Sequence, residues 1–163
     1  MQFRDLKKQY QVLKKEMDQA MAEVLADAGY IGGRQVAELE EALARYVGVK
    51  HCITCANGTD ALTLALMAWG IGEGDAVFVP DFTFFSTAET VAYEGAVPVF
   101  TDILEDTFNM DPDSLERAVQ AVMTEGKLTP KAIVTVGLFG LPADHDRIRQ
   151  IADRYSLHIL EDA

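Results

Sequence analysis

The run Cys55-Ala56-Asn57-Gly58-Thr59-Asp60-Ala61-Leu62-Thr63-Leu64-Ala65-Leu66 decides how the rest of the chain is read. Small and polar residues give way within a few positions to leucines at helical spacing, so the stretch reads as a tight turn feeding a helix. Glycine at 58 permits close approach to the backbone, and the first N–H groups of a helix have no partner inside it. Such a turn can hold an anion such as phosphate. It can equally be a plain strand-to-helix connection with Thr59 as its N-cap.

On either side of this run the pattern falls into two kinds. Upstream, Leu6, Tyr10, Leu13, Met17, Met21 and Leu25 recur every three or four residues and predict one helix ending near Ala28-Gly29. A second helix follows Gly32-Gly33 and runs to about Tyr46, stopped by Gly48. Downstream, short apolar runs alternate with helical ones. Strands are predicted at Cys52–Cys55, Ala76–Val79, Val97–Phe100, Ala132–Val136 and Leu157–Leu160, with helices over 59–69, 86–93, 112–123 and 144–154. This is the signature of an α/β fold, a mostly parallel sheet with helices on both faces. Pro98 inside the third strand predicts an edge position, because proline donates nothing to a ladder.

Length and composition bound the function. At 163 residues the chain is one domain's worth, and it has no apolar run of the ~20 residues that a membrane-spanning helix needs. No secretory signal is visible at its start, so the cytoplasm is the expected location. Residues 1–50 carry eight basic and eight acidic side chains, which places the whole formal charge of −12 after residue 50. Such a surface repels nucleic acid. Cys52 and Cys55 form a C-x-x-C that in a strand would send the two thiols to opposite faces, and His145 and His158 are isolated; structural cysteines are expected, without zinc or a disulfide.

Two further segments fall at the carboxyl edge of such a sheet, where open α/β folds bind ligands. Val79-Pro80-Asp81-Phe82-Thr83-Phe84-Phe85-Ser86-Thr87 puts three aromatics into a loop, either stacking on a flat heterocycle or roofing the core. Asp162 follows the apolar strand and is either a salt-bridged strand end or a carboxylate aimed into a site.

In combination these segments resemble a known family. Phe3-Arg4-Asp5-Leu6, Cys55-Ala56-Asn57-Gly58-Thr59-Asp60-Ala61-Leu62, Gly70-Ile71-Gly72-Glu73-Gly74-Asp75, Pro80-Asp81-Phe82-Thr83-Phe84, Pro142-Ala143-Asp144 and Glu161-Asp162-Ala163 are similar, in order and spacing, to the DegT/StrS-type sugar aminotransferases. These are fold-type I enzymes dependent on pyridoxal 5′-phosphate. The resemblance implies that Gly58 and Thr59 bind the cofactor phosphate, that Phe84 stacks on the pyridine ring, and that Asp162 pairs with the pyridine nitrogen. Tyr30, Ile31, Gly32 and Gly33 match a segment near the sugar substrate in relatives.

The resemblance further implies transamination of a keto-sugar nucleotide for polysaccharide synthesis, with a UDP-linked 3-keto sugar as acceptor, glutamate as donor and a homodimer at full length. On this reading residues 1–163 are the N-terminal part of the cofactor-binding large domain, with a helical segment 1–50, an α/β part 51–163 and no C-terminal small domain. None of Lys7, Lys8, Lys14, Lys15, Lys50, Lys127 and Lys131 matches the family's catalytic lysine, whose position lies beyond residue 163. The strand Cys52–Cys55 would also lack its neighbours, so the chain alone is expected to be poorly soluble or partly disordered. Rival readings are a non-catalytic α/β binding or interaction module, an inactive remnant, and half of a nucleotide-binding oxidoreductase. The last is weakened by the absence of G-x-G-x-x-G after a strand.

Overall fold

The computed structural model describes residues 4–163; Phe3, the first residue of the family-like opening, lies outside them. The chain divides after Thr54 into two compact units. In the first, α1 spans Leu6–Asp27 and α2 spans Arg34–Val47. Asp5 caps α1 by accepting from the Lys8 N–H at 2.9 Å. The left-handed closing residue of α1 is Ala28 (φ 51°) and not Gly29, whereas α2 closes as expected at Gly48 (φ 79°). Gly33 is required by contact: a Cβ there would lie 2.6 Å from the Gly29 carbonyl oxygen.

The segment Cys52–Cys55 is not a strand. A strand needs a neighbour for its backbone groups, and among the described residues this segment has no strand partner. Thr54 instead donates its N–H and its hydroxyl to Glu40 Oε1 on α2, each at 2.8 Å. Without a strand here, the argument that a strand separates the two thiols no longer applies; both cysteines are free.

The second unit is three-layered. Helix α3 spans Gly58–Ala68, β1 Asp75–Pro80, α4 Ser86–Tyr93, β2 Val97–Thr101, α5 Pro112–Glu125, β3 Thr129–Val136, α6 His145–Tyr155 and β4 His158–Asp162. The four strands are all parallel in the order β2-β1-β3-β4, as the alternating pattern predicts, and β2 with Pro98 is an edge. Between β1 and β3 the register slips by one residue after Ala76↔Pro130, where proline has no N–H to give.

Each face of the sheet carries its own core. One joins Phe78, Ile133 and Ala76 to Leu115 and Val119 of α5 and Ile148 and Ile151 of α6; the other joins Val77, Val79, Ala132 and Val134 to Leu62 and Leu66 of α3 and Val91 of α4. Alternate residues of β1 therefore serve opposite layers, and all five from Ala76 to Pro80 are buried. A fully buried side chain of the size of Leu66 or Phe78 contributes roughly 1.5–3 kcal/mol to folding.

Candidate functional site

Because the strands are parallel, Pro80, Thr101, Val136 and Asp162 all close at one edge of the sheet. Helix α3 runs against that direction. Trp69, which caps its C-terminus, stacks on His158, the first residue of β4, with ring centroids 4.6 Å apart and planes within 10°. The C-terminal end of α3 thus sits at the amino edge of the sheet, and its N-terminus points to the carboxyl edge, where Asp162 lies. This brings Gly58 and Thr59 to the side of the sheet that the sequence pattern assigns to ligands.

The N-cap of α3 is Asn57 and not Thr59. Its Oδ1 accepts from the Asp60 N–H at 2.9 Å, and its Nδ2 donates to Asp60 Oδ2 at 3.2 Å, which draws the one acidic side chain of the first turn onto the cap. The Ala61 N–H closes on the Asn57 carbonyl at 3.1 Å. Among the described residues, the N–H groups of Gly58 and Thr59 have no acceptor, and they are the donors a phosphate would take. A Cβ built on Gly58 meets nothing within 4 Å, and the residue is not in the left-handed region. Neither packing nor conformation calls for glycine here; the open space beside the helix start does, if another molecule fills it.

The aromatic loop does not roof the core. Phe84 and Phe85 are 75% and 72% exposed, and Phe82 is 49% exposed. Phe82 leans on Phe108 of the next loop at 5.7 Å, and Phe108 meets Phe139 edge-on at 6.1 Å, so three strand-to-helix loops share one aromatic cluster. Phe108 (φ 59°) and Phe139 (φ 55°) both hold left-handed backbone. Buried Asn109 fixes these loops: Nδ2 donates to the Leu141 and Pro142 carbonyls at 2.9 and 3.2 Å, and Oδ1 accepts from the Leu138 N–H at 3.3 Å.

Asp162 has no cationic partner among the described residues. Its Oδ2 accepts from the Thr87 hydroxyl at 2.9 Å, while its neighbour Glu161 takes His145 at 3.2 Å. The salt-bridged alternative for Asp162 therefore gives way to a carboxylate held by a neutral donor. Thr87 and Asn109 are functional candidates that the sequence reading passed over. Thr83 lies in the loop before α4 and Thr87 in its first turn, so only the folded loop brings the two hydroxyls together; nothing in the local pattern marks Asn109.

Lys127 and Lys131 lie at the amino end of β3, on the sheet edge opposite Asp162. In the first unit, Tyr30 lines a hollow of about 440 Å³ with Ala20, Met21, Val24, Leu25 and Gln35, and the Gln35 side-chain nitrogen is buried there without a partner among the described residues. The same unit carries Glu40, whose carboxyl is held below its usual range by the Thr54 N–H and then by the Thr54 hydroxyl.

A parallel α/β sheet whose carboxyl edge carries an open helix N-terminus and a carboxylate without a cationic partner has the architecture of an open α/β ligand-binding domain. The chain belongs to the DegT/DnrJ/EryC1/StrS aminotransferase family, whose description it matches over residues 11–163. It is 48% identical, over 99% of its length and 43% of the relative's, to the UDP-2-acetamido-2-deoxy-3-oxo-D-glucuronate aminotransferase of Pseudomonas aeruginosa. A crystal structure of a DegT DnrJ EryC1 StrS aminotransferase from Brucella abortus superposes with a TM-score of 0.97 at 52% identity, covering 99% of this chain and 43% of that one. The Bacillus subtilis protein NtdA with bound cofactor PMP superposes with a TM-score of 0.84 at 34% identity, covering 91% of this chain and 33% of that one. The chain thus spans under half the length of these relatives.

Proposed function

We propose that this chain forms the phosphate and ring-nitrogen walls of a pyridoxal-phosphate site in an enzyme that moves an amino group from glutamate to a UDP-linked 3-keto sugar. The observation that carries the reading is the direction of α3. It presents the free N–H groups of Gly58 and Thr59 to the same sheet edge as the Asp162 carboxylate, one matched to a phosphate and the other to a protonated pyridine nitrogen. Phe84, exposed between β1 and α4, is the surface on which the ring stacks. When bound, the cofactor supplies the electron sink for the transfer. The residues of this chain anchor its phosphate, fix its plane and keep its nitrogen charged.

Transfer also needs a lysine, and the two lysines of the second unit stand at the wrong edge of the sheet. These residues therefore bind and orient, and they do not move the substrate proton. The sugar class is supported by the Pseudomonas aeruginosa relative, which is named for a UDP-linked 3-oxo sugar acid. Residues 1–163 are the N-terminal part of a large domain, polysaccharide synthesis is the setting, the cytoplasm is the location, and two copies pair in the native enzyme.

Two measurements test this. PMP should bind the chain saturably in competition with inorganic phosphate, and Gly58→Val should abolish that binding; binding unaffected by phosphate would overturn the site. The native gene product, given glutamate and a UDP-linked 3-keto sugar, should yield 2-oxoglutarate and the 3-amino sugar by mass spectrometry. Faster turnover of a dTDP-linked 4-keto sugar would overturn the substrate class.

A further inference from the structure

Asp162 is held by a directed chain of hydroxyls. Thr87 is fully buried in the first turn of α4, 2.9 Å from Asp162 Oδ2 and 3.2 Å from the Thr83 hydroxyl. An ionised carboxylate has no proton to give, so Thr87 donates to Asp162; its one proton is then spent, and Thr83 donates to Thr87. The polarity of the chain is fixed from one end.

This leaves the two carboxylate oxygens unequal. Oδ2 is engaged by Thr87, whereas Oδ1 has no hydrogen bond among the described residues. The backbone around it is anchored as well, because the Gly137 N–H donates to the Asp162 carbonyl at 3.1 Å. At its other end the chain starts at Thr83, next to Phe84.

We propose that Thr87 is a positioning residue: through its hydroxyl it turns Asp162 so that Oδ1 faces the ring nitrogen of a pyridoxal-type cofactor, and through Thr83 it fixes the loop that carries Phe84 in the same frame. The proposal rests on the reading that Asp162 meets that nitrogen. Two contacts to one ring, one in its plane and one on its face, are set by a single buried hydroxyl. A neutral donor suits the task better than an arginine or lysine, because a cation beside Asp162 would compete with the protonated ring for its charge. The carboxylate stays oriented and its charge stays available.

The test uses PMP labelled with ¹⁵N in the ring, which has no aldehyde and binds without forming a bond to lysine. Wild-type chain should show a bound ring-nitrogen signal in the protonated range at neutral pH. Thr87→Val should move that signal toward the unprotonated range and raise the PMP dissociation constant roughly three- to tenfold, the worth of one oriented hydrogen bond. Thr87→Ser should restore both. A wild-type signal and affinity in Thr87→Val, or failure of a folded Thr87→Ser to restore them, would overturn the proposal.

Should Thr87→Val not fold, Thr83→Val decides: a ring-nitrogen shift in the same direction supports the chain, and no shift overturns it. Asp162→Asn separates the two levels. If it leaves signal and affinity unchanged, or if wild type takes up no PMP, the reading of Asp162 has failed and the proposal falls with it. If Asp162→Asn shifts the signal and neither threonine variant does, the role of the hydroxyls alone has failed.

Discussion

The side-chain amide of Asn109 donates to the Leu141 carbonyl at 2.9 Å, joining the loop after β2 to the loop after β3 across 32 positions of sequence. The same side chain also accepts from the Leu138 N–H, so it replaces backbone partners for a turn that contains left-handed Phe139. Asn109→Ala should cost about 1–3 kcal/mol through the groups it leaves unpartnered. Asn109→Asp should cost more at neutral pH, because a carboxylate oxygen would then face the Leu141 and Pro142 carbonyls. Urea midpoints of the two variants check the order, and equal midpoints would contradict it.

Gly58 separates stability from binding. With open space where a Cβ would stand, Gly58→Ala should leave the urea midpoint within about 0.5 kcal/mol of wild type. Its PMP affinity should nevertheless drop, since the methyl group enters the space beside the free N–H groups. A variant that binds as wild type would show that the space is not used.

Phe84 makes the complementary case on the ring. At 75% exposure it contributes little to folding, so Phe84→Ala should melt as wild type. Loss of a stacked ring is worth about 0.5–1.5 kcal/mol, and PMP affinity should fall accordingly, by roughly two- to tenfold. Calorimetric titration beside a melt reads both quantities on one sample.

Glu40 carries a pH dependence. Its carboxyl is held below the ordinary glutamate value of 4.5 by the N–H and hydroxyl of Thr54, so the folded form favours the ionised state. The contribution is therefore fully present above that value and is lost as pH falls through the lower folded value. The Thr54 amide should exchange with deuterium faster in Glu40→Ala than in wild type at neutral pH, with Glu40→Gln between them because it retains an acceptor. Protection unchanged in Glu40→Ala would show that the side chain does not hold the segment.

Much of this was legible in the sequence because the second unit is built from locally consistent pieces. Helix α4 occupies 86–93 as its spacing predicts, β2 is an edge as Pro98 requires, and β3 and β4 fall within a few residues of their apolar runs. The error at Cys52–Cys55 has a different origin. His51-Cys52-Ile53-Thr54-Cys55 has the local character of a strand, but a strand is a property of two segments, and among the described residues this one has no pairing partner. At the turn, Asn57 and Thr59 are both competent caps, and only the backbone geometry selects Asn57. The hydroxyl on Asp162 was not legible for a related reason: Thr87 and Asp162 are 75 residues apart, and only folding makes them neighbours.

The unequal flanks of the sheet bear on how it can grow. On one side β2 runs through Pro98 in unbroken register with Val77, so the missing N–H interrupts nothing inward and thins the outward row of donors. On the other side β4 carries no proline, and among the described residues its outer backbone pairs with no strand. Templating by a further strand is thus discouraged at one flank and open at the other. Among the described residues the flank without a strand partner and without a proline is β4, whose last residue is Asp162.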